Sequence, residues 1–148
     1  LIRTALRMRP NRIIVGEVRG AEAIDMLQAL NTGHDGSLST GHANSPKDML
    51  SRLESMVLMG MDLPLGAVQR QIASGIDIIV HLGRLRDKSR KVLEVSEILD
   101  YQDGEILLSP LYRFEETGEK DGKIQGTWRK MDDLVHTQKL LAAGYKEV

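Results

Sequence analysis

The chain has 148 residues, 41% of them hydrophobic, with 20 basic and 21 acidic side chains and a net charge of −1. That is enough for one domain with a real core, or for a compact part of a larger one, and the near-neutral balance leaves no electrostatic footprint for nucleic acid. Zero cysteines exclude a disulfide framework and a thiolate metal site and fit a reducing cytosol. No apolar stretch approaches the length of a bilayer span and no signal peptide opens the chain, so membrane association is expected only through a partner.

In chain order, residues 1–9 read as the end of a helix, with Ile2, Ala5 and Leu6 at helical spacing. Arg9-Pro10 breaks it, because the residue before proline is pushed out of the α region. A start at Leu1 within a helix leads us to expect the C-terminal part of a longer protein. Residues 12–16 should be a strand: Ile13, Ile14 and Val15 are consecutive β-branched residues, the pattern of a parallel strand covered on both faces. Glu17 then falls at the strand's C-terminal edge, where open α/β sheets bind ligands. A carboxylate there could orient water or hold Mg²⁺ through water; the plain alternative is a strand-end carboxylate paired with Arg19.

Residues 21–31 predict a helix through Ala23, Met26, Leu27 and Leu30, with Gly33 as its stop. A second short strand is expected over residues 36–40. Ser45-Pro46-Lys47-Asp48 is a helix start, with Ser45 as N-cap, proline in the first position and an acid in the third. Met49, Leu50, Leu53, Met56 and Val57 give that helix one apolar face. Residues 60–64 interrupt it, and Leu65, Val68 and Ile72 mark another. Strands are expected at 76–82, 92–99 and 106–114, the last two joined by an Asp103-Gly104 hairpin turn. Residues 115–126, charged and broken by Gly118 and Gly122, read as a loop, and residues 134–143 as a short apolar helix.

His34 and His42 bracket the second short strand. A metal site there lacks an H-x-x-x-H helix or a cysteine partner. A Ser-His-Asp triad from Ser37 or Ser39, His42 and Asp35 lacks the G-x-S-x-G elbow. His81, within an apolar strand, and His136, at a helix start, read as structural. No G-x-x-x-x-G-K-[ST] phosphate loop occurs in these residues.

Two longer motifs carry more. L-R-M-R-P-N-R-I-I-V-G-E-V-R-G, ending at Gly20, and N-T-G-H-D-G-S-L-S-T-G-H-A-N-S-P, beginning at Asn31, stand in order about a helix apart. Together they resemble the secretion ATPase family of type II and type IV secretion systems, most closely its tight-adherence pilus assembly branch. The first is similar to that family's Walker B box and the second to its histidine box. The resemblance is strong over residues 4–83, moderate to Phe114 and weak beyond. It implies an α/β fold, part of a RecA-like P-loop NTPase domain over residues 1–114 whose parallel strands are followed by an antiparallel extension. Residues 115–148 would be a loop and a helical tail.

By the same resemblance Glu17 and His42 would be catalytic, Glu17 orienting water and His42 sensing or stabilising the γ-phosphate. Arg19, His34, Ser39 and Thr40 would support them, and no residue would bind metal directly. ATP and Mg²⁺ are the implied cofactors. The implied setting is a homohexamer in the cytoplasm, held at the inner membrane by platform proteins of a secretion or pilus system, with no direct nucleic-acid contact. Two departures stand out: Gly41 replaces the aliphatic residue of many relatives, and Gly20 replaces the Asp of the pilus-retraction branch. Two other readings stay open, a conjugative DNA-transfer ring ATPase and a truncated, non-enzymatic subunit that completes or regulates an oligomer.

Overall fold

The computed structural model describes residues 2–146. The chain forms two compact units, one running to Asp77 and including Asp100–Ile106, the other holding Ile78–Leu99 and the chain from Leu107 onward.

In the first unit, helix α1 (Ile2–Arg7) ends before Arg9, whose φ of 50° breaks the helical path ahead of Pro10. Strand β1 (Ile14–Val15) pairs in parallel with β2 (Leu38–Ser39), Ile14 opposite Leu38 and Val15 opposite Ser39. Helix α2 (Ala23–Leu30) connects them, giving a β-α-β unit. Ala23, Ile24, Met26, Leu27 and Ala29 form its buried face.

Helix α3 (Pro46–Gly60) starts as its sequence dictates: Ser45 Oγ accepts the Asp48 N–H at 3.1 Å and Pro46 occupies the first turn. Helix α4 (Leu65–Gly75) packs on both α2 and α3. The core lies among these three helices, around Leu27, Val57, Val68 and Ile72, all fully buried. Asn31 ties the end of α2 to α4, donating to the Leu27 and Gln71 carbonyls and accepting from Ser74 Oγ.

One expectation for β1 is overturned. Ile13 is buried, but Ile14 is 74% exposed and its register partner Leu38 is 63% exposed. The two-stranded sheet is therefore covered on one face only among the described residues. Consecutive β-branched residues report strand propensity, and burial of both faces needs layers that periodicity does not reveal.

The second unit is a four-stranded sheet in the order β3-β4-β5-β6: Ile78–Arg84, Arg90–Gln102, Glu105–Lys120 and Lys123–Lys130. β3 pairs with β4, and β5 with β6, antiparallel. Ile78, Val80 and Leu82 of the edge strand β3 point to solvent. Asp103 and Gly104, with φ of 50° and 89°, make the expected turn between β4 and β5.

The loop expected over residues 115–126 is instead the far half of a long hairpin. Asp121-Gly122, with φ of 52° and 68°, forms its tip, and Gly118 lies at a shift in register. Its charges are paired: Glu115 opposes Thr127 and pairs with Arg129 across the hairpin, and Glu116 pairs with Arg86 of the β3–β4 turn. Phe114 and Trp128, directly opposite, meet edge to face with centroids 5.7 Å apart.

The helix expected over residues 134–143 shrinks to α5 (Gln138–Ala142), with no buried residue. The cause is Glu97, a carboxylate only 1% exposed. It accepts the backbone N–H of Val135 at 2.8 Å and of His136 at 2.7 Å, with His136 Nδ1 at 3.1 Å. A buried charge needs such partners, and meeting that need holds residues 135 and 136 out of a helix.

Asp87 closes the β3–β4 turn in a similar way, accepting Ser89 N–H, Ser89 O–H and the Ile124 N–H. These bonds, led by the Ser89 hydroxyl, lower its pKa from 3.8 to about 2. A depressed folded-state pKa stabilises the fold above the unfolded value, and the contribution disappears as pH falls through the folded value. The stability difference between the wild type and Asp87→Asn should therefore be full above about pH 4 and shrink steadily toward pH 2. Urea unfolding midpoints of the two proteins across that range will show it; a gap constant with pH would rule it out.

Candidate active site

The site is built by the β1–β2 pairing. Glu17 lies two residues beyond the end of β1 and His42 three beyond the end of β2, so parallel strands bring both to the same sheet edge. His42 Nε2 lies 3.0 Å from Glu17 Oε1, and Arg19 Nη2 lies 2.5 Å from Glu17 Oε2. Each carboxylate oxygen thus has a nitrogen partner. The Glu17 side chain is 22% exposed, while those of His42 and Arg19 extend into solvent.

The electrostatics follow from this geometry. The Arg19 hydrogen bond is the main reason Glu17 is held below its ordinary pKa; partial desolvation opposes it, and the charges of Arg19 and His42 add to it. Glu17 in turn raises the pKa of Arg19. Glu17 is therefore an ionised carboxylate at neutral pH, restrained on both oxygens.

Thr40 fixes the backbone beside it. Its hydroxyl donates to the Gly16 carbonyl, and its own carbonyl accepts the Val18 N–H at 3.0 Å. Ser39, on β2, directs its hydroxyl at the Thr40 carbonyl at 3.5 Å. His34 turns elsewhere: its Nδ1 lies 3.2 Å from the Ala29 carbonyl and 3.3 Å from Thr32 Oγ1, at the C-terminal end of α2. The structure thus brings together Glu17, Arg19, His42 and Thr40, and directs His34 to the helix.

Among the described residues, Ser37 and His42 do not form the serine–histidine contact of a triad. Ser37 Oγ donates to the His34 carbonyl and accepts the Ile13 N–H, and His42 Nε2 faces Glu17 rather than a hydroxyl. Among the described residues no group of three or more His, Asp or Glu side chains could hold a metal ion. His136 pairs with the buried Glu97.

Glu22 is a member of this site that the sequence reading missed. Its Oε1 accepts the backbone N–H of Arg19 at 2.8 Å and of Gly20 at 3.2 Å. Those N–H groups, Arg19 first, lower its pKa. The available signal was an acid one residue before a helix and three after Arg19, a position from which side chains often bond nearby backbone. Beside His42 a shallow open pocket is lined by Asn44, Asp48, Ser51 and Arg52. A carboxylate fixed between an imidazole and a guanidinium can orient a water molecule for attack and can balance charge that develops next to it.

Substituting Arg19 with Ala should raise the pKa of Glu17 toward its ordinary value, because the largest lowering influence is removed. Titration of the Glu17 carboxyl carbon by NMR in both proteins is the measurement. An unchanged titration would mean that Arg19 does not hold Glu17 in solution.

The family model for type II/IV secretion system proteins matches residues 1–131. A putative conjugal transfer protein of Mycobacterium tuberculosis (strain H37Rv) is 43% identical over 106 residues, covering 72% of this chain and 30% of that protein. The conjugal transfer protein TrbB of Rhizobium radiobacter is 36% identical over 116 residues, covering 78% of this chain and 35% of its own length. Among solved structures, the VirB11 ATPase of the Brucella suis type IV secretion system, in complex with sulphate, superposes with a TM-score of 0.61. It is 36% identical, over 65% of this chain and 30% of that one. The chain thus spans about a third of the length of each. These three are named for conjugal transfer and type IV secretion rather than for pilus assembly.

Proposed function

The chain belongs to the type II/IV secretion system protein family, and from that premise we propose that it is the C-terminal part of a homohexameric ATPase that drives pilus assembly or protein export. Residues 1–114 are its share of a RecA-like domain. The observation that supports this most is the 3.0 Å contact between Glu17 and His42 at the ends of adjacent parallel strands. Phosphoryl transfer needs a placed water and stabilised charge more than covalent chemistry, and this edge offers both.

In this reading Glu17 orients the attacking water, and His42 relays the state of the γ-phosphate to it. Arg19 positions Glu17, and Thr40 with Ser39 holds the adjoining backbone. His34 supports the edge at a distance by fixing the turn after α2. Bound Mg²⁺ supplies charge neutralisation on the phosphates. Both oxygens of Glu17 already have partners, so Glu17 fits a contact to that ion through water rather than direct coordination. The phosphate loop would come from the part of the intact protein outside these residues. The setting is the cytoplasmic side of the inner membrane, through platform proteins; no helix among the described residues is long and apolar enough to cross a membrane.

A second reading has its own support. The relatives from M. tuberculosis and R. radiobacter are named for conjugal transfer, which favours DNA transfer as the process served by the same hydrolytic edge.

Glu17→Gln in the intact protein should leave ATP binding nearly unchanged and lower turnover by a factor on the order of 100 or more. Turnover within about twofold of wild type would remove Glu17 from the reaction. The 148-residue chain by itself should bind ATP weakly and hydrolyse none detectably, because no phosphate loop is present. Calorimetric titration with ATP and Mg²⁺ tests this, and micromolar binding would contradict it. Steady-state ATP turnover of the intact protein separates an ATPase part from a non-enzymatic subunit.

A further inference from the structure

The segment that carries Glu17 is loose by composition. Gly16 and Gly20 bracket it, and glycine carries the largest backbone entropy to be lost. Val18 in its middle is buried, but a Cβ added at Gly16 would meet nothing within 4 Å, so packing does not hold the flanks. Hydrogen bonds do, at two ends. Thr40 secures the first, through the Gly16 carbonyl and the Val18 N–H.

Glu22 secures the second. Its Oε1 collects the Arg19 and Gly20 N–H groups, and its Oε2 lies alongside Gly20, 3.4 Å from where a Cβ would stand. Two successive N–H groups converging on one oxygen form a small anion-binding concavity. Glu22 also begins α2: its carbonyl accepts the Met26 N–H, and Ala23 and Leu27 of that helix are fully buried. The carboxylate therefore ties the backbone at Arg19 and Gly20 to a buried element of the core.

We propose that Glu22 is a positioning residue for Glu17, acting through Arg19. It does not touch Glu17. It fixes the backbone of Arg19, and the Arg19 guanidinium then sits on Glu17 Oε2. This rests on the assignment of Glu17 to water orientation. A shift of about 1 Å in such a group is enough to slow a reaction substantially. Glutamine at position 22 keeps an oxygen that accepts both N–H groups, whereas alanine loses it, so the pair of variants separates geometry from charge.

The test uses Glu22→Ala, Glu22→Gln and Glu17→Gln, with kinetics in the intact protein and amide signals in the 148-residue chain. In steady-state ATP hydrolysis, Glu22→Ala should lower kcat on the order of tenfold with KM for ATP within about twofold, and Glu22→Gln should recover most of kcat. In the 148-residue chain, the amide proton signals of Arg19 and Gly20 should move upfield in Glu22→Ala and stay in place in Glu22→Gln. A purely structural role would lower the melting temperature and reduce the fraction of sites that bind ATP, without a kcat change per bound site. Wild-type kcat in Glu22→Ala overturns the proposal, as does a low kcat in a folded Glu22→Gln. If Glu22→Ala does not fold, Glu22→Gln alone decides by that last criterion. An active Glu17→Gln would overturn the assignment of Glu17 itself, which keeps the two failures distinct.

Discussion

Four residues in two parallel strands carry the site. The pairing of Ile14 with Leu38 and Val15 with Ser39 sets two chain ends side by side, and each continues into a polar loop. Parallel pairing demands a crossover, and α2 supplies it with a face of five buried residues. A ladder this short has little stability of its own. Its geometry therefore rests on the packing of α2, α3 and α4 and on local bonds such as that from the Ile13 N–H to Ser37 Oγ.

Both units use the same device for irregular backbone: a carboxylate that gathers N–H groups. Glu22 gathers those of Arg19 and Gly20, Asp87 those of Ser89 and Ile124, and Glu97 those of Val135 and His136. A carboxylate accepts several bonds at once, and charge-assisted bonds exceed neutral ones in strength. Segments that lack a ladder partner gain a defined path in this way. The environments differ: Glu97 is fully buried, Asp87 is half-buried and Glu22 is exposed. The first therefore costs most to leave unpaired.

Much of this was legible in the sequence. The strand leading to Glu17, the Ser45-Pro46 helix start and the Asp103-Gly104 turn each rest on local chemistry, and each stands where local chemistry puts it. The far half of the β5–β6 hairpin was not legible, because its charges and the glycines at 118 and 122 read as a loop unless their cross-strand partners are known. The path of residues 134–137 depends on Glu97, 38 and 39 residues away, and no local pattern announces it. The contact of Glu17 with His42 needed a register, which the motif order suggested and the strand pairing specifies. The role of Arg19 as the main influence on Glu17 needed a distance.

The two rims of the four-stranded sheet are unlike. Strand β6 offers Lys123, Arg129 and Lys130 along an open row of backbone groups, and charged side chains discourage another chain from adding itself there. Strand β3 presents Ile78, Val80 and Leu82 in alternate, solvent-facing positions, with no charge before Arg84. An uncovered, greasy rim of that kind is a template for strand addition by any neighbour.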